Sequence, residues 1–139
     1  MANERTLVLC KPDAVQRGYA GQIISRFENK GLKIAGMKML RIDEALAARH
    51  YQEHVEKPFY PKLREFITSS PVIALAIEGD NAVDVVRGMM GVTNPQNAAP
   101  GTIRGDFGKD VMVNVVHASD SDENAAIELS RFFQAGELQ

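Results

Sequence analysis

The sequence predicts an α+β fold of the ferredoxin-like kind, in which a four-stranded antiparallel sheet is covered by helices. Short apolar runs of strand length alternate with segments of helical periodicity along all 139 residues. Their order is strand, helix, strand, two helices, strand, helix, strand, helix. This order is typical of a sheet with its helices on one face, although a doubly wound parallel sheet could also accommodate it. The length suits one domain, residues 1–139, with no room for a second.

The first half of the chain supplies two strands and three helices. Thr6 to Cys10 is an apolar strand that ends at Lys11-Pro12, because proline cannot continue a strand ladder. Apolar residues then recur at helical spacing until Gly31, a residue type that commonly ends helices. Residues 32–42 form the second strand. Asp43 begins a helix with the sequence EALAARHYQEH, and residues 61–68 form another short helix.

The second half contains the most apolar strand, PVIALAIE, at residues 71–78. Residues 79–81 cap a helix that runs from Ala82 to Met90 and is closed by Gly91. Residues 92–113 show no periodicity, and unstructured stretches of that length in a compact domain are usually functional or disordered. Two prolines and an arginine within this stretch favour a functional segment. A fourth strand at 114–117 and a helix at 122–133 complete the order.

Composition excludes several classes of function. The formal net charge is −2 and no block of like charges occurs, so no polyanion-binding surface for nucleic acid is indicated. No apolar run is long enough to cross a bilayer, and the apolar stretch at the N-terminus is too short for a secretory signal. The single cysteine, Cys10, lies inside the apolar run TLVLC, which excludes an intramolecular disulfide and suits a reducing compartment. We therefore expect a cytoplasmic protein.

One histidine stands where the fourth strand turns into the last helix. A lone histidine at a strand end is ordinarily structural, but His117 is followed by a helix start, SDSDE, that is rich in capping oxygens and acids. On that helix Glu128 falls at the edge of the inward apolar stripe. A carboxylate bonded to one imidazole nitrogen fixes the tautomer and leaves the other nitrogen free as base or nucleophile. The alternative is an ordinary solvated glutamate.

Three cations near ends of strands, helices or loops could converge on a phosphate group. Lys11 ends the first strand, Arg87 flanks the apolar face of its helix, and Arg104 lies in the segment GTIRGDF. Each alone is more typically a surface charge. The sequence contains no GxxxxGK[ST] loop, which excludes a phosphate cradle of that type. A kinase without this loop could hold the phosphoryl group covalently.

Four segments carry a resemblance to a known family. The segments are ERTLVLCKPDAVQRG, HYQEHVEKPFYPKLREFITSSPV, EGDNAVDVVRGMMGVTNPQNAAPGTIRGDF and NVVHASDSDENAAIELSRFF. They resemble the nucleoside diphosphate kinases over essentially the whole chain. The resemblance implies a ferredoxin-like sandwich that transfers the terminal phosphate of a nucleoside triphosphate to a nucleoside diphosphate. The implied reaction is ping-pong through a phosphohistidine, with broad base specificity, and maintains nucleoside triphosphate pools.

The same resemblance implies roles for individual residues. His117 would be the nucleophile, attacking through Nδ1, with its ring oriented by Glu128 and Ser119. The remaining implied site consists of a phosphoryl and sugar contact at Lys11 with Tyr51 nearby, phosphate contacts at Arg87, Thr93 and Arg104, a sugar 3′-hydroxyl contact at Asn114, and a base slot of Phe59, Leu63 and Val111. Stacking on an aromatic ring tolerates every base, because every base has a π face.

The resemblance also implies a cofactor and partners. Mg²⁺ would be carried on the nucleotide phosphates, with no direct protein ligand and with Asp120 able to reach it through a water. The partners would be nucleoside tri- and diphosphates and further copies of this chain, as a tetramer or hexamer built from dimers. The loop around Pro95 and Pro100 would contribute to subunit contacts. No membrane or nucleic-acid partner is indicated.

Two positions depart from the family pattern. Ala118 follows the histidine where glycine is usual, and Ser70 stands where a glycine commonly precedes Pro71. If Ala118 had a positive φ, the strain would be on the order of 1 kcal/mol, whereas at negative φ its methyl group needs only space. We expect activity to be retained and the turnover rate to be unchanged by Ala118→Gly.

Other constellations have simpler interpretations. His50 and His54 are four residues apart, but Tyr51 follows His50, so the HExxH order of a zinc site is absent and a pair on a helix surface is expected. Cys10 is most simply a buried strand thiol. A ferredoxin-like binding or scaffold module without turnover remains the alternative to an enzyme, and it would bind nucleotide without exchanging phosphate between two nucleotides.

Overall fold

The computed structural model describes residues 3–139. Four strands form one sheet, and their bounds are Asn3–Cys10 (β1), Lys33–Leu40 (β2), Val72–Asp80 (β3) and Val116–Ala118 (β4). The strand order is β2-β3-β1-β4, and each neighbouring pair is antiparallel. The predicted α+β class is therefore confirmed, and the parallel alternative is wrong.

The predicted helices lie between and after the strands in the predicted order, and two further helices of five residues each, Pro12–Gln16 and Ile103–Phe107, were not predicted. Between β1 and β2 lie Pro12–Gln16 (α1) and Ala20–Asn29 (α2). Between β2 and β3 lie Glu44–His50 (α3) and Tyr60–Ile67 (α4). Ala82–Met90 (α5) and Ile103–Phe107 (α6) precede β4, and Asp122–Phe132 (α7) follows it. Two 3₁₀ turns, Pro95–Asn97 and Ala135–Glu137, complete the described secondary structure.

Helices cover both faces of the sheet, so the expectation that they lie on one face is wrong. Along β1, Val8 and Cys10 pack into one core with α2 and α5, while Leu7 and Leu9 pack into a second core with α3, α4 and α7. Consecutive residues of TLVLC are apolar, so side chains on both faces of this strand have to be covered.

Capping residues fix the ends of the helices beside the sheet. Asp43 accepts a hydrogen bond from the backbone N–H of Leu46, and Ser121 accepts one from Asn124. Gly91 ends α5 with φ 84°, a left-handed conformation that glycine adopts without steric cost. These predicted boundaries are confirmed. They place the N-terminus of α7 directly after β4.

Several predicted boundaries differ from the structure. The helix predicted from Asp43 ends at His50 and continues only as turns, and β3 runs on to Asp80, so that Asn81 makes the junction with α5 in a left-handed conformation with φ 54°. The segment 92–113 contains the 3₁₀ turn Pro95–Asn97 and α6, which are too short to show periodicity. Along residues 3–139, no helix combines the length and apolar character needed to cross a membrane.

Candidate active site

His117 lies in the short edge strand β4, paired with Leu9 of β1. Its side chain is 26% exposed, and Nε2 lies 2.8 Å from Oε1 of Glu128 on α7. The same carboxylate oxygen accepts a hydrogen bond of 2.9 Å from Ser119 Oγ. Glu128, which was predicted to lie at the edge of the apolar stripe of α7, therefore contacts His117.

The ionisation of Glu128 decides which nitrogen of His117 is free. Burial disfavours the charged carboxylate, but its hydrogen bonds to His117 and Ser119 and the attraction of the neighbouring imidazoles outweigh burial and hold the pKa of Glu128 below its usual range. An ionised carboxylate only accepts hydrogen bonds, so Nε2 of His117 must carry the proton. In the neutral ring, Nδ1 then keeps its lone pair and can act as a nucleophile.

Lys11 is a buried cation at the end of β1. Nζ donates to Asn114 Oδ1 at 2.8 Å and to the carbonyl of Met112 at 2.9 Å. Burial lowers the pKa of Lys11 to about 8; the nearby Arg104 acts in the same direction, and Asp13 opposes it. The ammonium group of Lys11 therefore loses its proton at a pH closer to neutral than an ordinary lysine does.

The two arginines differ in how firmly the fold holds them. Arg104 is buried, and its guanidinium donates to the carbonyls of Val116 at 2.8 Å and Gly91 at 3.3 Å. Burial, with the neighbouring Arg87, lowers the pKa of Arg104 to about 10, so it stays charged at neutral pH. Arg87 is exposed and makes one hydrogen bond of 3.3 Å, to the carbonyl of Ala118.

The predicted site residues converge on one cavity of about 370 Å³. It is lined by an imidazole with a free nitrogen, three cations and several polar groups, a combination suited to accepting a negatively charged phosphoryl group. The predicted residues in its wall are Lys11, Tyr51, Leu63, Arg87, Thr93, Arg104, Asn114, His117, Asp120 and Glu128.

Three predicted residues lie just outside this wall. Phe59 is 47% exposed, and its ring centre is 5.5 Å from that of His54, which lines the cavity. Val111 is 57% exposed, and its carbonyl accepts a hydrogen bond from Asn114. Ser119 is buried behind Glu128. The side chains of Phe59 and Val111 are therefore accessible from solvent.

The donor set for a divalent cation at this cavity is small. Asp120 is the exposed carboxylate in the wall, and one of its oxygens accepts a hydrogen bond of 2.6 Å from Asn124. Mg²⁺ is usually bound through one or two carboxylates together with substrate phosphates. The residues therefore fit an ion that arrives on the nucleotide and do not form a cage of their own.

The residue before β4 has a conformation that the sequence did not predict. Val115 has φ 65°, rare for a β-branched residue, and its backbone N–H donates a buried hydrogen bond of 3.0 Å to Asp13 Oδ2. Its carbonyl accepts from the backbone N–H of Lys11 at 2.8 Å. Asp13 thus stabilises the turn that sets the position of β4. No pattern in the sequence around Asp13 or Val115 predicts this contact.

His50 is the second residue whose position was not anticipated. The expectation of a pair on a helix surface is wrong, because His50 is only 9% exposed and its ring stands edge-on against His117 with ring centres 4.6 Å apart. His54 lies beyond the end of α3, against Tyr51 and Phe59. Ala47, one turn before His50, is also buried, so both residues lie on the inward face of α3.

The departures from the family pattern cause no backbone strain. Among residues 3–139, positive φ outside glycine occurs at Asn81 and Val115, so Ala118 has negative φ and its buried methyl group needs only space. Ser70 is buried two residues before the start of β3. Cys10 is buried as expected, and burial raises the pKa of its thiol to about 12.

Comparison with known proteins identifies the family. A model described as nucleoside diphosphate kinase matches residues 4–138. The nucleoside diphosphate kinase of Pyrococcus horikoshii is 60% identical over 138 residues, which cover 97% of this chain and 88% of that protein. The chain belongs to the nucleoside diphosphate kinase family. The corresponding protein of Archaeoglobus fulgidus is 58% identical over 135 residues, with 97% of this chain and 89% of that protein covered.

Solved structures of nucleoside diphosphate kinases share the fold. That of Halobacterium salinarum, in complex with CDP, has a TM-score of 0.96 at 51% identity and covers 99% of this chain and 92% of its own. That of Aquifex aeolicus has a TM-score of 0.96 at 41% identity and covers 99% of this chain and 100% of its own. The chain is therefore an enzyme, a nucleotide-binding kinase of this family.

Proposed function

We propose that the protein transfers the terminal phosphate of a nucleoside triphosphate to a nucleoside diphosphate through a phosphohistidine on His117. The supporting observation is that Glu128 holds Nε2 of the ring while the same ring lines a cavity with Lys11, Arg87 and Arg104. One protein group thus serves two substrates in turn, which is ping-pong catalysis.

The chemical step needs positioned charge more than proton transfer. Nδ1 of His117 donates its electron pair to the γ-phosphorus, a P–N bond forms, and the bond from phosphorus to the β,γ-bridging oxygen breaks with its electrons leaving on the diphosphate. The second half-reaction reverses these changes with a different diphosphate. Lys11 and the two arginines stabilise the charge on the transferring oxygens, and Glu128 stabilises the cationic ring of the intermediate.

The remaining site residues bind the nucleotide without reading its base. Phe59 stacks on the base, and Leu63 and Val111 line the slot. Stacking tolerates every base, whereas hydrogen bonds to base edges would discriminate among them. Asn114 and Lys11 contact the sugar hydroxyl, Thr93 contacts the phosphates, and Tyr51 lines the same cavity as Lys11. Broad base specificity follows, and with it a role in maintaining nucleoside triphosphate pools.

Mg²⁺ is the cation that suits this donor set. Bound to the nucleotide phosphates, it would supply positive charge to them, and Asp120 would hold it through a water. Residues 1–139 act as one domain that carries the whole site. The buried thiol of Cys10 suits the reducing cytoplasm, where the substrates are found.

A homo-oligomer built from dimers is the proposed assembly, as a tetramer or a hexamer. β2 lies at the edge of the sheet with Met37 and Met39 58% and 61% exposed, which is an exposed apolar edge of the kind that pairs with another chain. The loop around Pro95 and Pro100 would join dimers to one another. Light scattering on the wild type gives the subunit number, and Met39→Lys should reduce it.

Transfer of a phosphoryl group from ATP onto the protein distinguishes an enzyme from a module that only binds nucleotide. Protein mixed with γ-labelled ATP and Mg²⁺, without acceptor, should take up label that is stable to base and lost in mild acid. His117→Ala should take up none. Absence of label from the wild type, or equal label in the variant, would overturn the proposal. Nucleotide binding without exchange would support the scaffold alternative.

A further inference from the structure

His50 is a buried polar ring without a hydrogen-bond partner. Among the described residues, neither Nδ1 nor Nε2 of His50 has a partner, although the residue is only 9% exposed. Its ring packs edge-on against Tyr51, His117 and Phe132, with centre-to-centre distances of 4.7, 4.6 and 5.3 Å. Packing alone would be served as well by phenylalanine, which leaves no polar atom unsatisfied. The imidazole nitrogens therefore need another explanation.

The ring adjoins a second cavity, of about 260 Å³, on the α3 and α7 side of His117. His50, His117 and Glu128 all line it, whereas His50 does not line the larger cavity that holds the three cations. Its wall also contains the carboxylates of Glu53 and Asp120, the guanidinium of Arg131 and the imidazole of His54, which is not among the three clustered ligands. With Glu128 ionised, three acids face one base, so the cavity favours a cation.

Three side chains of this wall form a ligand set. His50, His117 and Glu128 each offer one ligand atom, and these atoms lie within 4.8 Å of one another. Two imidazoles and one carboxylate are a set used by Zn²⁺, which also takes a water as its fourth ligand. Tetrahedral bonds of about 2.1 Å place ligand atoms about 3.4 Å apart, so side-chain adjustments would close the site. The cavity supplies room for the water.

We propose that His50, His117 and Glu128 bind a transition-metal ion of the Zn²⁺ class, and that such an ion arrests phosphoryl transfer. An ion on Nε2 of His117 replaces the proton shared with Glu128, and an ion on Nδ1 occupies the nucleophilic nitrogen. Either arrangement removes the electron pair or the orientation that transfer requires. The arrest rests on the proposed function, whereas the binding site does not.

Binding of Zn²⁺ alone, without nucleotide, is the first test. A chromophoric chelator competition should find one Zn²⁺ per chain in the wild type, and His50→Phe should weaken it at least about tenfold, because loss of a residue that merely supports a metal ligand already costs that much. The matched control, His54→Phe, should bind as the wild type does. Equal affinity in the wild type and His50→Phe, or no stoichiometric binding to the wild type, would overturn the site.

NMR of the wild type provides a test that needs no variant. With ¹⁵N-labelled histidine, the ring signals of His50 and His117 should move on addition of one equivalent of Zn²⁺ while those of His54 stay in place. Movement of His54 alone would overturn the proposal.

The arrest is measured as label uptake by the protein at a fixed free Zn²⁺ concentration with Mg²⁺ in excess. Inhibition should be reversed by chelator and be at least about tenfold weaker in His50→Phe. Equal inhibition of both proteins would contradict the arrest. Failure of the protein to take up label with Mg²⁺ but without Zn²⁺ would instead count against the proposed function and leave the binding result standing.

Discussion

His117 and Glu128 are joined by a hydrogen bond of 2.8 Å between Nε2 and Oε1, across the junction of β4 and α7. A bond to an ionised carboxylate is worth about 1.5–3 kcal/mol, against about 0.5–1.5 for a neutral pair. Glu128→Gln keeps the shape but loses the charge that stabilises the cationic ring, so kcat should fall about tenfold. Steady-state kinetics measure this, with Glu123→Gln on the exposed face of the same helix as control. Equal kcat for the two variants would contradict the role given to Glu128.

The alkaline limb of the pH profile should be set by Lys11. Burial lowers its pKa from 10.5 to about 8, so the free enzyme loses this cation as pH rises through about 8. The kcat/KM for the donor nucleotide reports the free enzyme and should fall about tenfold per pH unit above that value. Lys11→Arg keeps its charge at these pH values and should remove the limb, whatever its absolute activity. An unchanged limb in Lys11→Arg would assign it to another group.

Substitution of Arg104 should lower the stability of the protein, whereas substitution of Arg87 should not, although both should weaken nucleotide binding. Arg104→Ala removes buried hydrogen bonds to the carbonyls of Gly91 and Val116 and should lower the free energy of unfolding by about 1.5–3 kcal/mol. Arg87 is exposed, and Arg87→Ala should change it by no more than about 0.5 kcal/mol. Both substitutions should raise KM. Urea unfolding and kinetics on the same preparations test this, and equal destabilisation by the two would refute it.

Asp13 should stabilise the strained turn before β4. Asp13→Ala leaves the buried N–H of Val115 without an acceptor and should cost about 1–3 kcal/mol of unfolding free energy. Asp13→Asn keeps an acceptor oxygen and should cost less. Because the turn positions β4, kcat should fall in the same order. Chemical denaturation ranks the variants, and an alanine variant as stable as the wild type would show that the bond is unimportant.

Local signals in the sequence predicted the parts of the fold that depend on neighbouring residues. Pro12 ends β1, Asp43 and Ser121 cap their helices, and Gly91 ends α5 because each acts within one turn of its own position. Helical periodicity placed Glu128 at the edge of the buried stripe, and the contact with His117 followed. The detailed roles in nucleotide binding came from the family resemblance and not from periodicity.

Long-range contacts account for what could not be predicted. The left-handed conformation of Val115 depends on Asp13, which is 102 residues away in sequence, and no local pattern indicates it. Histidine side chains are found both buried and exposed, so the residue type at position 50 did not indicate burial.

The five residues of α6 are too few to display a helical period. The cover on both faces of the sheet could have been predicted from the uninterrupted apolar strands.

In the proposed reaction, Nδ1 of His117 carries the phosphoryl group between two nucleotides. The most direct test is NMR of the ¹⁵N-histidine-labelled protein after reaction with ATP and Mg²⁺ and removal of nucleotide. We expect phosphorus coupled to Nδ1 of His117, with complete transfer to added GDP as GTP. Phosphorus on Nε2, on another residue, or retained after GDP is added would contradict it.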